Sequence, residues 1–268
     1  MNRKALKKSL ISRIFFPEKN FFGLDFNNSS LKILGMKKNQ DYYQVLGWGE
    51  KKIPKGIIES FEIKDQEAFR NVFEDLLAGM EGKVSGSAIV SVPESKVFIR
   101  IVKMPLMGEQ EAEKAIKWET ENNIPVSIES VYFDWQILDQ KETEMNVLVV
   151  AVAKKIVDNY LAALDFIGLE TVVFEPESIA TGRCFLQEVD QEGCLAILDI
   201  GKENSSLAFY RMNFPIFTTS YSICGDSFTD LAAKYLKINY QEAESYKAMV
   251  GLGRNLKEKR SEERRVGK

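Results

Sequence analysis

The sequence predicts an α/β protein with a duplicated core and an inserted α+β unit. Three observations carry that expectation. A hairpin pattern occurs twice, first as Phe22-Gly23-Leu24-Asp25-Phe26-Asn27-Asn28-Ser29-Ser30-Leu31-Lys32 and again from Cys194 to Tyr210. In the second copy an apolar run ends in Asp199-Ile200-Gly201, and Ser205-Ser206-Leu207 opens the next run. Each copy reads as a buried strand, a tight turn and a returning strand. Strands, then a helix, then more strands fill residues 21–103. Finally, residues 104–173 hold a charged helix and the almost wholly apolar run Met145–Ala153, which reads as a central strand buried on both faces.

A chain of 268 residues can build one large domain or two small ones. Its net charge of -3 gives no reason to expect nucleic acid. The absence of histidine excludes Ser-His-Asp and Cys-His catalysis and any histidine metal site. Cys184, Cys194 and Cys224 lack CxxC spacing and read as small buried residues in a reducing compartment. No apolar run approaches the roughly 18 residues of a membrane span, and no apolar segment is followed by a small-residue cleavage site.

In chain order, residues 1–20 form a basic stretch with Leu6, Leu10, Ile11 and Ile14 on one helical face. It reads either as a weak contact with an anionic membrane surface or as a solvated tail. Phe21–Phe26 and Leu31–Met36 make the first hairpin. Tyr42–Ile53 follows as an edge strand, with a bulge signalled by Gly47 and Gly49. Asp65 caps a helix whose Phe69, Val72, Phe73, Leu76 and Leu77 form one stripe. Ser87–Val92 and Val97–Val102 are short strands, and Met104-Pro105 breaks the pattern. A helix from Glu109 to about Asn122, the alternating run Val131–Leu138 and the strand Met145–Ala153 come next. A helix then carries Ile156, Val157, Tyr160, Leu161 and Leu164 on one face and ends at Gly168. Leu169–Phe174 is a strand. Glu175-Pro176-Glu177-Ser178 opens a helix toward Val189, with Pro176 in its first position. The second hairpin precedes a strand pair around Phe214–Ser222, a helix led by Gly225-Asp226, and a short helix over Gln241–Val250. Lys257–Lys268 is a charge run. Ser261–Lys268 reads either as a native tail or as non-native translation.

These elements group as a tail (1–20), a first-lobe core (21–103 with 174–190), the inserted subdomain (104–173), a partial second lobe (191–256) and a charged end (257–268). Residues after Cys194 supply less sheet and helix than a full lobe needs, so the second lobe is expected to be incomplete. A Walker P-loop and a Rossmann GxGxxG are both absent. The two Asp-turn hairpins remain. Gly201 can take positive φ or admit a ligand near the backbone. N–H groups of such turns can form an anion-binding concavity.

The two hairpins resemble the phosphate loops of actin-like ATPases, a duplicated ribonuclease H-like fold. Lys114-Ala115-Ile116-Lys117-Trp118-Glu119, Ile124-Pro125, Tyr132-Phe133-Asp134-Trp135 and Gly225-Asp226-Ser227-Phe228-Thr229 resemble segments of the PilM family of type IV pilus assembly. The likeness covers roughly residues 21 to 250. It implies ATP and Mg²⁺, with Asp25 and Asp199 holding the metal through water. Asn28, Ser29 and Lys32 would lie beside the phosphates on one side, and Gly201, Asn204, Ser205 and Gly225 on the other. Glu175 would orient an attacking water, giving at most a weak ATPase. Asn27 stands where the family has Gly, an exchange that left-handed backbone would tolerate. Lys202-Glu203-Asn204 replace smaller residues, and the later adenosine-contacting loop is missing, so this chain is expected to bind ATP poorly.

The same resemblance implies an assembly adaptor at the cytoplasmic face of the inner membrane. Its partner would be a PilN-like inner-membrane protein, held by that protein's cytoplasmic N-terminal segment in a groove beside the inserted subdomain. Val97–Lys103 and Trp118 are the candidate groove residues. Other pilus assembly proteins, self-association and peripheral membrane contact belong to the same expectation, as does the related type II secretion setting. The alternatives are a small-molecule kinase of the same fold, with Glu175 or Glu177 as base, and an FtsA-like membrane tether.

Overall fold

The computed structural model describes residues 20–40, 42–123, 126–186, 193–211 and 213–251. The basic stretch before Asn20 and the charge run after Gly251 lie outside them, as do the expectations placed there. The chain divides into two compact units, Met1–Leu195 with Phe209–Thr218, and Ala196–Ala208 with Thr219–Lys268.

In the first unit, β1 (Phe21–Phe26), β2 (Ser30–Lys38) and β3 (Tyr43–Lys52) form a meander. A small hairpin follows, β4 (Ile58–Glu59) with β5 (Glu62–Ile63), and then helix α1 (Gln66–Gly79). The chain returns through β6 (Glu81–Gly82) and β7 (Ser87–Val92). With β11 (Thr171–Pro176) these strands make a six-stranded sheet of order β11-β7-β1-β2-β3-β6, in which β1, β7 and β11 run parallel. Alternation decides the buried face: Phe22, Leu24 and Phe26 on β1 and Leu31 and Ile33 on β2 all point into the core. Asp65 caps α1 by accepting from the Ala68 N–H at 2.9 Å. Phe69, Val72, Phe73 and Leu76 then fall on the sheet side. The Phe26 ring meets Phe69 edge-on at 5.4 Å and lies 4.6 Å from Tyr160. Each such side chain stabilises the layer by roughly 1.5–3 kcal/mol through burial. The expected bulge sits beside Gly47: pairing steps from Gly35↔Gly47 to Met36↔Val45 and skips Leu46. A Cβ on Gly47 would lie 2.7 Å from the Lys83 nitrogen, so only glycine lets β6 approach.

A separate three-stranded sheet, of order β8-β10-β9, is built from β8 (Val97–Pro105), β9 (Val131–Gln140) and β10 (Glu144–Ala153). Helix α2 (Glu109–Asn123) covers one face, with Ala112 and Ile116 against Val102, Met104, Met145, Val147 and Val149. This corrects the expected division at 104. The strand opening at Val97 does not belong with the first-lobe sheet; it runs through Met104-Pro105 and pairs along β10, from Val97↔Val152 to Pro105↔Glu144. Pro105 is tolerated because it ends an outer strand. The other expected limit, 173, also moves. Helix α3 (Lys154–Phe166) buries Ile156, Tyr160, Ala163 and Leu164 in the first-lobe core, and β11 joins its sheet. The inserted sheet therefore spans 97–153. An apolar stripe shows that a helix packs, not which layer it packs on.

Helix α4 (Glu177–Phe185) is shorter than expected, and Pro176 is its N-cap rather than its first residue. The sheet holds that position: Glu175 and Pro176 pair with Ser91 and Val92 on β7.

Strands β12 (Leu195–Ile200), β13 (Ser205–Arg211) and β14 (Phe214–Tyr221) form a three-stranded sheet in that order. Helices α5 (Gly225–Leu236) and α6 (Tyr240–Val250) belong to the second unit, whereas Phe209–Thr218 of β13 and β14 count with the first. The two helices are tied through Thr229, whose Oγ1 accepts from Lys247 Nζ at 2.7 Å, while Lys247 also donates to the Gly225 carbonyl at 2.9 Å. Strand β12, expected to be buried, is largely exposed: as the outer strand it leaves Leu198, Asp199 and Ile200 open. Of the cysteines read as buried, Cys184 and Cys194 are exposed and only Cys224 is buried. Apolar sequence neighbours do not determine which way a side chain faces.

Candidate functional site

Parallel strands bring their C-terminal ends together, and ligands of α/β sheets bind beyond those ends. Here β1, β7 and β11 place three polar residues side by side. Asp25 follows the Leu24↔Val90 pair, and Glu175 pairs with Ser91. The Ser91 hydroxyl donates to the Asp25 carboxylate. Glu175 is bound by Arg183 on α4.

A second carboxylate pair closes the same end. Glu94, just past β7, accepts from the Ser178 N–H at 3.3 Å, at the start of α4. Its own N–H donates to Glu177 at 3.1 Å. Placing a carboxylate at a helix N-terminus is favourable. The Tyr210 hydroxyl donates to the Ser178 carbonyl at 2.7 Å. Burial, reinforced by Glu94, pushes that hydroxyl up to about 12. Tyr160 is also pushed up, by burial first and then by Glu177 and Asp25. The sheet end is therefore strongly acidic, with Arg183 set against Glu175.

The first turn is closed by its own side chain. Asn27 Oδ1 accepts from the Ser29 N–H at 2.9 Å, the Ser30 N–H at 3.0 Å and the Ser29 hydroxyl at 3.0 Å. Asn27 is not among the described residues with positive φ, so left-handed backbone is not what admits it here. It works as an Asx turn. Asn28 Oδ1 holds the neighbouring loop by accepting from the Phe61 N–H at 3.0 Å. Lys32 is exposed, across the ladder from Asp25 and Glu50.

The second turn, in the other unit, is likewise committed internally. Gly201 N–H donates to the Asn204 carbonyl at 3.0 Å, and Ser205 Oγ to the Ile223 carbonyl at 2.6 Å. The first N–H groups of α5, from Gly225 and Asp226, donate to the Gly201 and Lys202 carbonyls at 2.9 and 2.8 Å. Gly201 does not use positive φ; glycine is required because a Cβ there would lie 2.6 Å from the Asn204 oxygen. Asp199 is exposed. Among the described residues no cluster of three or more Cys, Asp or Glu is placed to hold a metal ion. The Ser29 and Ser30 N–H groups of the first turn and the Gly201, Gly225 and Asp226 N–H groups at the second are engaged within the chain, so as they stand these donors do not fit the phosphates of ATP-Mg²⁺.

A groove was expected beside the inserted subdomain, and the structure has one there with a different lining. The alternate side chains of β9 turn two ways: Trp135 and Ile137 pack with α2, whereas the Tyr132 hydroxyl donates to Asp158 on α3 at 2.8 Å. On that second face, Gln136 lines a cavity of about 290 Å³ with Ile179, Arg183, Leu186, Phe214 and Pro215. Its signal was weak, the Phe214-Pro215 pair after a turn whose Asn213 has φ of 65°. Of the residues proposed from sequence, Val97–Lys103 lies in the opposite outer strand, and Trp118 on α2 is 63% exposed.

The sheet with acidic parallel-strand ends, interrupted by an inserted sheet, is an α/β architecture that matches solved proteins of the actin-like class. The ethanolamine utilization protein EutJ of Carboxydothermus hydrogenoformans shares the fold with a TM-score of 0.52 at 15% identity, over 90% of this chain and 65% of that one. The solved PilM–PilN type IV pilus biogenesis complex matches with a TM-score of 0.75 at 25% identity, over 88% of this chain and 71% of that one. The family model of type IV pilus assembly protein PilM matches residues 23–260, and the chain belongs to that family. Cell division protein FtsA of Staphylococcus epidermidis is 22% identical over 258 residues, 87% of this chain and 55% of that protein. The chain thus spans about half the length of the curated relatives it matches.

Proposed function

We propose that this protein is an assembly adaptor of a type IV pilus machine, at the cytoplasmic face of the inner membrane, that binds the cytoplasmic N-terminal segment of a PilN-like membrane protein. The observation that carries the reading is the groove beside β9, in a chain whose fold matches a solved PilM–PilN complex. Its apolar lining (Ile179, Leu186, Phe214 and Pro215) offers pockets for side chains, and Gln136 and Arg183 offer polar contacts. Strand β9 is an outer strand of its sheet, so an extended peptide can add main-chain hydrogen bonds along it. Among the described residues no helix is long and apolar enough to cross a membrane, and the membrane tie is assigned to the partner. This reading does not depend on phosphate chemistry; the Ser29, Ser30 and Gly201 N–H groups are engaged within their turns.

The test is a synthetic PilN-like N-terminal peptide titrated against the protein, read by tryptophan fluorescence and by calorimetry. Saturable binding is expected. Gln136→Trp, which fills the groove from an exposed strand position, should weaken it at least about tenfold. Equal binding by both forms would place the peptide elsewhere, and no binding with the peptide in large excess would remove the reading.

A further inference from the structure

The first turn can be followed donor by donor. Hairpin β1–β2 closes with the Asn27 N–H donating to the Ser30 carbonyl at 3.0 Å. The reciprocal donor, the Ser30 N–H, does not meet the Asn27 backbone; it meets the Asn27 side chain at 3.0 Å, and so does the Ser29 N–H at 2.9 Å. The Ser29 hydroxyl makes a third contact on the same oxygen at 3.0 Å, and the Ser30 hydroxyl a fourth at 3.5 Å. Successive N–H groups converging on one point form a concavity of the kind that takes an anionic oxygen. It lies two residues beyond Asp25, at the acidic end of the parallel strands. The point of convergence is already filled by a neutral oxygen of the chain.

We propose that the Asn27 side chain occupies the anion position of this turn, so that one residue sets the chain's affinity for a phosphate group. An incoming phosphate must displace four hydrogen bonds from Asn27 before it gains any from Ser29 and Ser30. A glycine at 27 leaves those donors open and keeps the closing Asn27-to-Ser30 backbone bond, which requires no side chain. The inference concerns the sheet-end turn and not the groove, so peptide binding and phosphate binding fail independently.

The experiment compares the whole chain with Asn27→Gly, Asn27→Ala and Asn27→Asp, titrated with inorganic tripolyphosphate and with ATP, each with Mg²⁺. Tripolyphosphate isolates the phosphate contacts from any adenosine contact. Asn27→Gly and Asn27→Ala should bind tripolyphosphate at least about tenfold more tightly than the natural chain. Asn27→Asp keeps an acceptor in place, adds like charge and should show no gain. Amide exchange of Ser29 and Ser30 supplies a reading that needs no variant: both should be protected in the natural chain and unchanged by tripolyphosphate. Absence of any gain in Asn27→Gly and Asn27→Ala overturns the proposal, whether all forms bind or none does. Rapid exchange of both amides in the natural chain overturns it as well.

Discussion

Glu94 shows how one side chain fixes the entry to a helix. It leaves β7, accepts from the Ser178 N–H and receives Glu177 on its own N–H. Its other oxygen, Oε1, is buried without a hydrogen-bond partner among the described residues. Glu94→Ala should therefore lower stability by about 1–3 kcal/mol, since it strips a cap and leaves a donor buried. Glu94→Gln, which keeps an acceptor, should lose less; denaturant midpoints of the two variants check this. Glu62 gives a pH signature. Lys155 at 2.5 Å and Lys64 at 2.6 Å lower its carboxyl from 4.5 to about 2. A depressed folded value means that the contribution is present above 4.5 and disappears as pH falls from 4.5 to about 2. Glu62→Gln should flatten the acid limb of stability in that window, and identical acid limbs would contradict it. At this scale the sequence revealed residue types and not partners. Asp25, Asp199 and Gly201 were identifiable at strand ends. That Asn27 would act through its side chain, and Gly201 through close approach, depended on distances that no spacing pattern contains.

Elements were recoverable where periodicity was strong and one face was buried. The α1 stripe from Phe69 to Leu76 and the apolar run of β10 are such cases. Their layers were less clear. Strand β8 and helix α3 each follow an ordinary pattern, yet each packs on the other side of the expected boundary. Long-range pairing decides that, and it leaves no mark in a local window. Helix α2 is thin in apolar residues, so its hold on the inserted sheet rests on Ala112 and Ile116. Ile116, at 0% exposure, is the larger anchor. Ile116→Ala should cost about 2–4 kcal/mol, transfer loss plus a cavity. The loss should appear first as faster amide exchange in β8, β9 and β10. Uniform loosening of the six-stranded sheet instead would mean that the two sheets unfold together.

For the whole molecule, the actin-like class and the PilM family account for the duplicated hairpins and the inserted sheet, while in the first turn the Asn27 oxygen holds the Ser29 and Ser30 N–H groups. What the first unit offers is a supported groove: α2 stiffens one face of the inserted sheet, and the other face, at Gln136, looks onto α4. On the proposed reading, this is the surface that holds the partner peptide. A groove beside the inserted subdomain was expected, but its lining lay beyond sequence reasoning because those residues come from three separated segments, around 136, 179–186 and 213–215. The most direct test is amide hydrogen exchange on the whole chain with and without the PilN-like peptide. Slowed exchange along β9 and in α4, with β8 unchanged, is the predicted result. Slowed exchange confined to β8, or no change at saturating peptide, would contradict the account.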